Sequence, residues 1–420
     1  MIKGSALYMV IVIALIIGII CSALVMVAYV YQAQYQKASR YSRLHDNLES
    51  AIALVRADSG RRYSQERKMD LFGQGQDSVM LQRYDWGLFD IGVVRAFRQS
   101  DTLLRLLEIG AGVDSARWCA IYLSDQDRPL SVSGQTSITG NAYLPKSGIR
   151  AAYVDNQSYQ GSKQMVSGHQ YDSRKELPSP QKDRLSLLRG LLSGGLPDDS
   201  LLRENREINN DFSQPVRYLN FKKVPHTLRD IRLSGRVIVV SDTTLSIDST
   251  AQLEEVILIA KTIKVGSGFK GRCQLFATDS LIVGANSTFA YPSALCLLQF
   301  KSAKGLQPHI TLGDHLRFTG TVITWQETPT PLPPMLQIGR ESTLNGQIYS
   351  SGVCAYKGKL RVNGSLYTTR FLYRNDFTAF ENYLINAAID TRQLSPYYRT
   401  GLLLPGSGKK NQIIQWLKAN

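Results

Sequence analysis

A few carboxylates in the second half of this sequence are the residues best suited to acid–base chemistry. Asp314 is followed directly by His315, and Asp279 and Glu327 lie in the same region. A glycoside hydrolase needs two carboxyl groups about 5–9.5 Å apart, so on a stack of strands acidic residues must recur at equivalent positions. Asp279, Asp314 and Glu327 occupy unrelated positions in the repeats of this region. We therefore interpret Asp314 and His315 as a turn with a surface histidine, and we predict a non-enzymatic protein without catalytic residues.

Metal, cofactor and disulfide chemistry depend on the spacing of cysteine and histidine. The sequence has no CxxC pair and its five histidines are dispersed, so we predict no metal site. It also lacks the GxxxxGK[ST], GxSxG and HExxH motifs, so we predict no cofactor. Cys119, Cys273, Cys296 and Cys354 could form two disulfides in an oxidising compartment, with three possible pairings. Cys273 occupies an apolar position of a repeated motif, however, and we interpret it as a buried small hydrophobe.

Two short motifs recur through the second half of the chain. Six segments read apolar-any-apolar and then Gly, Asp or Asn, and they begin at Leu245, Ile263, Leu281, Ile310, Leu336 and Leu360. An apolar-any-Gly-any-apolar motif follows at Phe269–Cys273, Phe318–Val322 and Leu344–Ile348. Alternating apolar residues broken by turn residues at a regular interval are typical of stacked short strands. We predict a mainly β chain whose core is a right-handed parallel β-helix, a solenoid.

The longer intervals between motifs have room for surface loops, where binding residues are usually found. One such loop contains Tyr291, and a proline-rich loop contains Thr328, Pro331 and Pro333. We predict these four residues as possible surface contacts.

The amino-terminal region predicts a membrane helix. No charged residue occurs from Ser5 to Val30, a stretch long enough to span a bilayer core of about 30 Å. Neither Pro nor Gly interrupts Ile19 to Ala57. Apolar and aromatic residues continue at helical spacing beyond the span, namely Tyr35, Ala38, Tyr41, Leu44, Leu48, Ala51, Ile52 and Val55. We predict one helix, half in lipid and half amphipathic.

This helix resembles the amino-terminal helix of type IV pilin-like proteins, especially minor pilins and minor pseudopilins. The residues Lys3-Gly4-Ser5-Ala6-Leu7 are similar to the end of a pilin leader. The resemblance implies cleavage between Gly4 and Ser5 by a prepilin peptidase. Major pilins have Glu at the fifth mature position, whereas this chain has Met9, which implies a tip or initiator role. A plain single-pass anchor is the alternative.

Two cues disagree about membrane orientation. Lys37, Arg40 and Arg43 follow the span closely, and the positive-inside rule would place the large domain in the cytoplasm. The pilin-like resemblance implies the outer side. We predict a single-pass protein of a bacterial inner membrane with its large domain outside the cytoplasm.

The solenoid region is similar in periodicity to bactofilins, which are polymer-forming β-helix proteins. The chain as a whole resembles envelope proteins of Bacteroidetes-type bacteria in its organisation. Near the carboxyl terminus Phe377, Phe380, Tyr383, Leu384 and Ala387 have helical spacing, and we predict a helical cap that covers the last turn of the solenoid. A helix-prone tail with Trp416 follows.

These features divide the chain into a basic leader (1–4), a transmembrane and amphipathic helix (5–57), a β-rich or α+β connecting region (58–128), first solenoid strands (129–170), an inserted loop and helix (171–230), the parallel β-helix (231–372) and a cap with tail (373–420).

The charge and composition of the chain limit the classes of partner that we predict. The net charge is +15, but the basic residues are scattered and no nucleic-acid motif occurs, so we predict no nucleic-acid partner. The predicted partners are the lipid bilayer, pilin-like subunits and envelope polysaccharide. The preferred function is a non-enzymatic, secretion-associated or pilin-like structural and display component. A membrane-tethered β-helix that binds or cleaves polysaccharide and a bactofilin-like scaffold remain alternatives.

Overall fold

A computed structural model describes residues 3–58, 61–73, 75, 78–98, 101–193, 197, 206–301 and 305–418. The chain is mainly β and begins with one long apolar helix, which confirms the predicted class at this level. It divides into a first unit (1–83 and 93–105) and a second unit (84–92 and 106–420). The predicted leader falls partly outside this description, because Met1 and Ile2 are not among the described residues.

Helix α1 (Lys3–Ala57) is 55 residues long. Its apolar segment has a mean hydropathy of 3.2 over 18 residues, and none of that segment is buried. The length and composition are therefore those of a helix that can cross a membrane. Gly4 and Ser5 lie in its first turn.

The carboxyl-terminal part of α1 buries one face. Leu44, Leu48, Ala51, Ile52 and Val55 are all at most 4% exposed. They repeat at three- and four-residue steps, which places them on one side of the helix. The apolar stripe predicted from the sequence is therefore buried only over its second half.

The first part of that stripe is exposed. Tyr35 is 73% exposed, Tyr41 is 60% exposed, and Ala38 is also exposed. The spacing of these residues is helical, but no described residue covers them.

The first unit also contains strands β1 (Arg67–Met69) and β2 (Ser78–Trp86), which pair antiparallel. Strands β3 (Phe89–Arg98) and β4 (Asp101–Val113) follow, and β2, β3 and β4 each run from one unit into the other. Val79, Leu81, Val93, Val94 and Ala96 are buried residues of these strands within the first unit. The helix end and these strands thus each bury apolar residues within the first unit.

Most of the second unit consists of short strands. The first group is β5 (Ile121–Leu123), β6 (Leu130–Ser133), β7 (Ser137–Thr139), β8 (Ala142–Leu144), β9 (Ile149–Ala151), β10 (Val166–Ser167) and β11 (Gln170–Asp172). Helix α2 (Lys182–Leu192) follows. The next strands are β12 (Glu207–Asn210), β13 (Arg217–Asn220), β14 (His226–Leu228), β15 (Arg232–Gly235), β16 (Val237–Ile247), β17 (Gln252–Val265) and β18 (Lys270–Val283). Then come β19 (Thr288–Gln299), β20 (His309–Leu312), β21 (Arg317–Gln326), β22 (Met335–Ile338), β23 (Ser342–Tyr356) and β24 (Leu360–Arg374). The last strands are β25 (Ala379–Glu381), β26 (Tyr383–Ile385), β27 (Ala387–Asp390) and β28 (Ser407–Leu417).

From β12 to β24 the described pairings are parallel, and each strand pairs with the equivalent part of a following one. Apolar residues of the motifs are partners across the strands, as in Ile263↔Leu281 and Phe318↔Leu344. These side chains form one continuous buried core. We call this 20-stranded assembly the parallel sheet.

Glycine recurs in the second motif because strands approach closely there. Gly346 has a φ of +127°, and a Cβ atom on it would lie 2.0 Å from the carbonyl oxygen of Gly320. That distance is far below van der Waals contact, so only glycine fits.

Strands early in the chain continue the parallel sheet beyond β24. Leu366 of β24 pairs with Ile121 of β5, and Leu360 pairs with Ala387 of β27. Strand β27 pairs in turn with β7, whereas β26, β6 and β9 form a separate three-stranded sheet. Strands β27 and β5 thus both lie directly beside β24, and β7 and β8 follow them, an order that differs from the order along the chain.

The predicted helical cap is wrong. The described residues from 373 to 418 contain strands β25 to β28 and no helix. Leu384 pairs with Val132, and Phe380 pairs with Tyr373. The apolar layer of β24 is covered by strands of the amino-terminal half, so an amphipathic helix is not needed there. The tail pairs antiparallel with β4, at Ile413↔Ile109.

All five cysteines are free. Cys273 is 1% exposed and belongs to the apolar core, as the repeat position predicted. Cys119, Cys296 and Cys354 are buried as well.

Candidate binding site

The four predicted contact residues lie in two different environments. The hydroxyl of Tyr291 donates to the carbonyl oxygen of Arg399 at 2.8 Å and accepts from its backbone N–H at 3.0 Å. Tyr291 is therefore engaged within the protein, and burial raises the pKa of its hydroxyl. Thr328 and Pro331 are exposed, and Pro333 is half-buried, in the loop between β21 and β22. Of the four predicted residues, the two that are exposed both lie in this loop.

A cavity of about 710 Å³ lies next to that loop, which contributes Pro329 to the lining. One wall is formed by the segment 175–182 and by α2. The other wall is formed by side chains of three neighbouring strands, including Trp325 of β21 and Thr369 of β24. We call it the α2 cavity.

The parallel pairing explains why strand side chains reach this wall. Val322, Ile348 and Leu366 are partners across β21, β23 and β24 and belong to the apolar core. Since successive side chains of a strand point to opposite faces, alternate residues of these strands point away from the core. Tyr349 and Trp325 are such residues and line the α2 cavity.

Helix α2 is held by one buried cation. Arg184 is 6% exposed and forms ion pairs with Asp90 and, at 3.3 Å, with Asp85. Its guanidinium also donates to the carbonyl oxygens of Gly87 at 3.3 Å and of Phe89 at 3.1 Å. Five N–H groups in a planar fork allow this number of acceptors. Arg184 thereby fixes the position of the helical wall.

The aromatic and charged groups at the cavity hold one another in place. Arg189 pairs with Glu327 and lies over the ring of Phe300 at 5.0 Å. Phe300 meets Trp325 edge-on at 5.3 Å between ring centroids. Lys175 and Lys182 also line the cavity, and neither forms an ion pair with a described residue.

A column of five tyrosines runs from the cavity along the parallel sheet, and sequence reasoning missed it. The rings of Tyr349, Tyr367, Tyr122, Tyr143 and Tyr171 follow one another at centroid distances of 6.2, 5.7, 5.3 and 5.0 Å. The hydroxyl of Tyr349 donates to the carbonyl oxygen of Pro178 at 3.2 Å. In the sequence, four of these tyrosines directly follow an apolar residue, and this pattern could have indicated them. The strand register that aligns the rings depends on the tertiary structure, so the column itself could not be predicted.

A second group of polar residues is buried away from the α2 cavity. The side-chain amide of Gln415 donates to Glu108 at 2.8 Å and to Glu255 at 3.2 Å. Arg272 donates to Gln415 at 2.8 Å and to Glu255 at 2.9 Å. Burial raises the pKa of Glu108 to about 8, and burial also raises the pKa of Glu255.

In that group Glu108 is buried, whereas Glu255 and Arg272 are partly exposed. A neighbouring cavity of about 350 Å³ is lined by Arg272 and Glu254, and Glu108 is not part of its lining. The arrangement therefore joins strands β4, β17, β18 and β28 through shared hydrogen bonds.

Asp314 and His315 occupy the turn between β20 and β21. Asp314 accepts a hydrogen bond from the backbone N–H of Arg340 at 2.7 Å, and His315 is exposed with a φ of +57°. Both positions are those of turn residues. Within the described ranges, no group of three or more His, Cys, Asp or Glu side chains could hold a metal ion.

Comparison with known proteins adds no relative. No protein-family model, no curated protein and no solved structure matches this chain.

Proposed function

We propose that this chain is a single-pass envelope protein in which a pilin-like helix anchors a right-handed parallel β-helix. Its role is to display a binding surface outside the cytoplasm without catalysing a reaction. It acts either within a pilus-like assembly or beside a secretion system.

The main support for this proposal is that α1 consists of an exposed apolar part and a part with one buried face. Its first part is apolar and wholly exposed, so only lipid or other apolar helices can cover it. Its last part buries Leu44, Leu48 and Val55 in a small folded unit. A plain anchor needs only the first part, whereas a pilin-like subunit uses the same helix for both purposes.

Aromatic residues support the membrane assignment. Tyr29 and Tyr31 are 72% and 74% exposed, and both lie at the end of the uncharged stretch. Tyrosine is enriched where a helix leaves the bilayer, because its ring is apolar and its hydroxyl is polar.

The β-helix assignment is supported by the parallel pairing and by the repeats. A chain that returns to the next parallel strand must cross over, and such crossovers are right-handed in about 98% of proteins. Strand β17 pairs with β18 over three successive stretches separated by two register shifts, and such irregularities are where a strand can bend. Three stretches per repeat are those of a three-sided solenoid.

Processing at the amino terminus tests the pilin-like part. The full chain, expressed with a prepilin peptidase, is expected to begin at Ser5 by mass spectrometry of the intact protein. A Gly4→Leu variant is the matched control and is expected to retain Met1. A wild-type chain that also retains Met1 would contradict the pilin-like proposal and favour a plain anchor.

Protease protection tests the orientation. In spheroplasts, added protease is expected to digest the large domain and leave a membrane-bound fragment of the helix. Protection of the whole domain until the cells are lysed would place it in the cytoplasm, in agreement with the positive-inside rule and the bactofilin-like alternative.

A further inference from the structure

We propose that the α2 cavity binds a segment of an acidic polysaccharide, with one sugar ring against Trp325 and its carboxylate held by Lys175 and Lys182. This inference deepens the display function and rests on it, because it names what the displayed surface binds.

The size of the cavity fits a few sugar rings. Its volume of about 710 Å³ lies within the range of about 300–1,000 Å³ that is usual for ligand sites. Its walls combine apolar groups, such as Leu177 and Pro180, with hydroxyl and amide groups, such as Ser179 and Gln326. Sugars present both kinds of surface, since their ring faces carry C–H groups and their edges carry hydroxyls.

Trp325 is the aromatic ring available to a ligand. It is half-buried, whereas Tyr349 on the same wall is only 3% exposed. The edge-on contact with Phe300, and the guanidinium of Arg189 over that ring, hold Trp325 in one orientation. A fixed aromatic face offers a large contact area at little conformational cost.

The charge on the walls favours an anion. Glu327 is neutralised by Arg189, which leaves Lys175 and Lys182 against the single carboxylate of Glu176. Two ammonium groups without ion-pair partners in the described chain attract a negatively charged ligand.

Two polar atoms of the lining also lack a partner. Gln326 Oε1 and Ser351 Oγ are buried and form no hydrogen bond with any described residue. Buried polar atoms are nearly always hydrogen-bonded, so after a side-chain rotation toward the cavity Gln326 Oε1 can accept from a ligand hydroxyl and Ser351 Oγ can donate or accept.

A peptide fits this site less well than a sugar. Strands β21, β23 and β24 pair with neighbours over most of their length, and the part of β21 at the cavity that is paired on one side only, Trp325–Gln326, is two residues long, too short an edge to bind a peptide as an added strand. Polyols need no such edge, because each hydroxyl is satisfied by a side chain.

Titration calorimetry on the full chain in nanodiscs tests the proposal, with oligogalacturonate, neutral maltooligosaccharide and polyglutamate as probes. Saturable binding of oligogalacturonate is expected, at least about tenfold tighter than binding of the other two. The affinity is expected to fall as salt is added. Absence of saturable binding, or equal affinity for maltooligosaccharide or polyglutamate, would overturn the proposal.

Two variants locate the site. Trp325→Ala is expected to weaken oligogalacturonate binding by about tenfold or more, whereas Phe377→Ala, at a hairpin tip that is 95% exposed, is the aromatic control. The double variant Lys175→Gln/Lys182→Gln is expected to reduce affinity at least about tenfold, and Lys261→Gln/Lys264→Gln is the control with the same change in charge. Circular dichroism confirms that each variant is folded. Unchanged oligogalacturonate binding in both cavity variants would show that the α2 cavity is not the binding site. This conclusion would hold whatever the processing and protection experiments show about the helix.

Discussion

At the residue scale, the hydrogen bonds that hold β28 against its neighbours involve Glu108, a buried carboxyl group whose protonation changes with pH. Gln415 of β28 donates to both Glu108 and Glu255, and Arg272 faces the same group. Glu108 also lies close enough to Tyr291 to influence its titration. A carboxyl group that is buried beside a second carboxylate holds its proton to an unusually high pH.

We expect the stability of the protein to fall as the pH rises from about 5 to about 8. The pKa of Glu108 is raised from 4.5 to about 8 in the folded chain, so within this window the folded state binds a proton that the unfolded state has released. The slope from this one group is at most about 1.4 kcal/mol per pH unit. Glu108→Gln cannot ionise and is expected to flatten the dependence in urea unfolding measured from pH 5 to 8. Glu207→Gln, at an exposed carboxylate, is the control, and an unchanged slope in Glu108→Gln would show that the group does not titrate as described.

The requirement for glycine at position 346 also depends on contacts of a single residue. We expect Gly346→Ala to lower the free energy of unfolding by about 3 kcal/mol or more, since the added Cβ would lie 2.0 Å from a carbonyl oxygen. Gly268→Ala is the matched control, because its φ is also positive at +78° but no atom lies within 4 Å of the added Cβ. That control is expected to lose only about 1–2 kcal/mol. Equal losses in urea unfolding would mean that backbone strain, and not strand contact, requires glycine.

At the element scale, α2 shows how one side chain can hold a whole helix. Its apolar burial is limited to Leu188, while Arg184 supplies ion pairs and hydrogen bonds to the turn between β2 and β3. The sequence predicted an inserted loop and helix within 171–230, but the groups that anchor the helix lie more than ninety positions away in the chain. Local propensity predicts such a helix and cannot predict where it docks.

We expect Arg184→Ala to destabilise the protein by about 3–5 kcal/mol, because it breaks the buried ion pair with Asp90. It is also expected to abolish ligand binding at the α2 cavity, whose wall is formed by α2. Urea unfolding and amide hydrogen exchange over Lys182–Leu192 measure the two effects. Arg189→Ala is the control on the same helix and is expected to cost less than about 1 kcal/mol, since its ion pair is exposed. Similar losses for both variants would contradict the anchoring role of Arg184.

At the scale of the whole molecule, the parallel sheet joins segments that lie far apart in the chain, 121–172 and 360–390. Strands from 121–172 stack on β24 and β27, and these interactions cover the apolar layer that a solenoid would otherwise expose. The helical spacing near Phe377 was misleading. Over so few residues, the apolar pattern of several short strands cannot be distinguished from the apolar pattern of one helix face.

This order can be tested with an engineered disulfide. Ser137 and Ala388 are parallel partners, so their Cα atoms lie about 4.8 Å apart and can be bridged by a disulfide. We expect Ser137→Cys/Ala388→Cys to form the bond on mild oxidation, as seen by a mobility shift and by peptide mass spectrometry. Ser137→Cys/Arg361→Cys is the control, because Arg361 is one strand further away, at about 9.6 Å. Bridging in the control but not in the test pair would refute the observed strand order.

What the sequence determined by itself was local and periodic: the long apolar helix, the buried face beyond Leu44, the alternating strands and the glycine positions. These features follow from the spacing of side chains along one helix or strand, and that spacing can be read directly from the sequence. The tertiary structure alone decided that β5 lies beside β24, that Arg184 docks α2, and that five tyrosines align beside a cavity. Such contacts join residues far apart in sequence, and they form because each exposed apolar edge is buried by whichever segment can reach it.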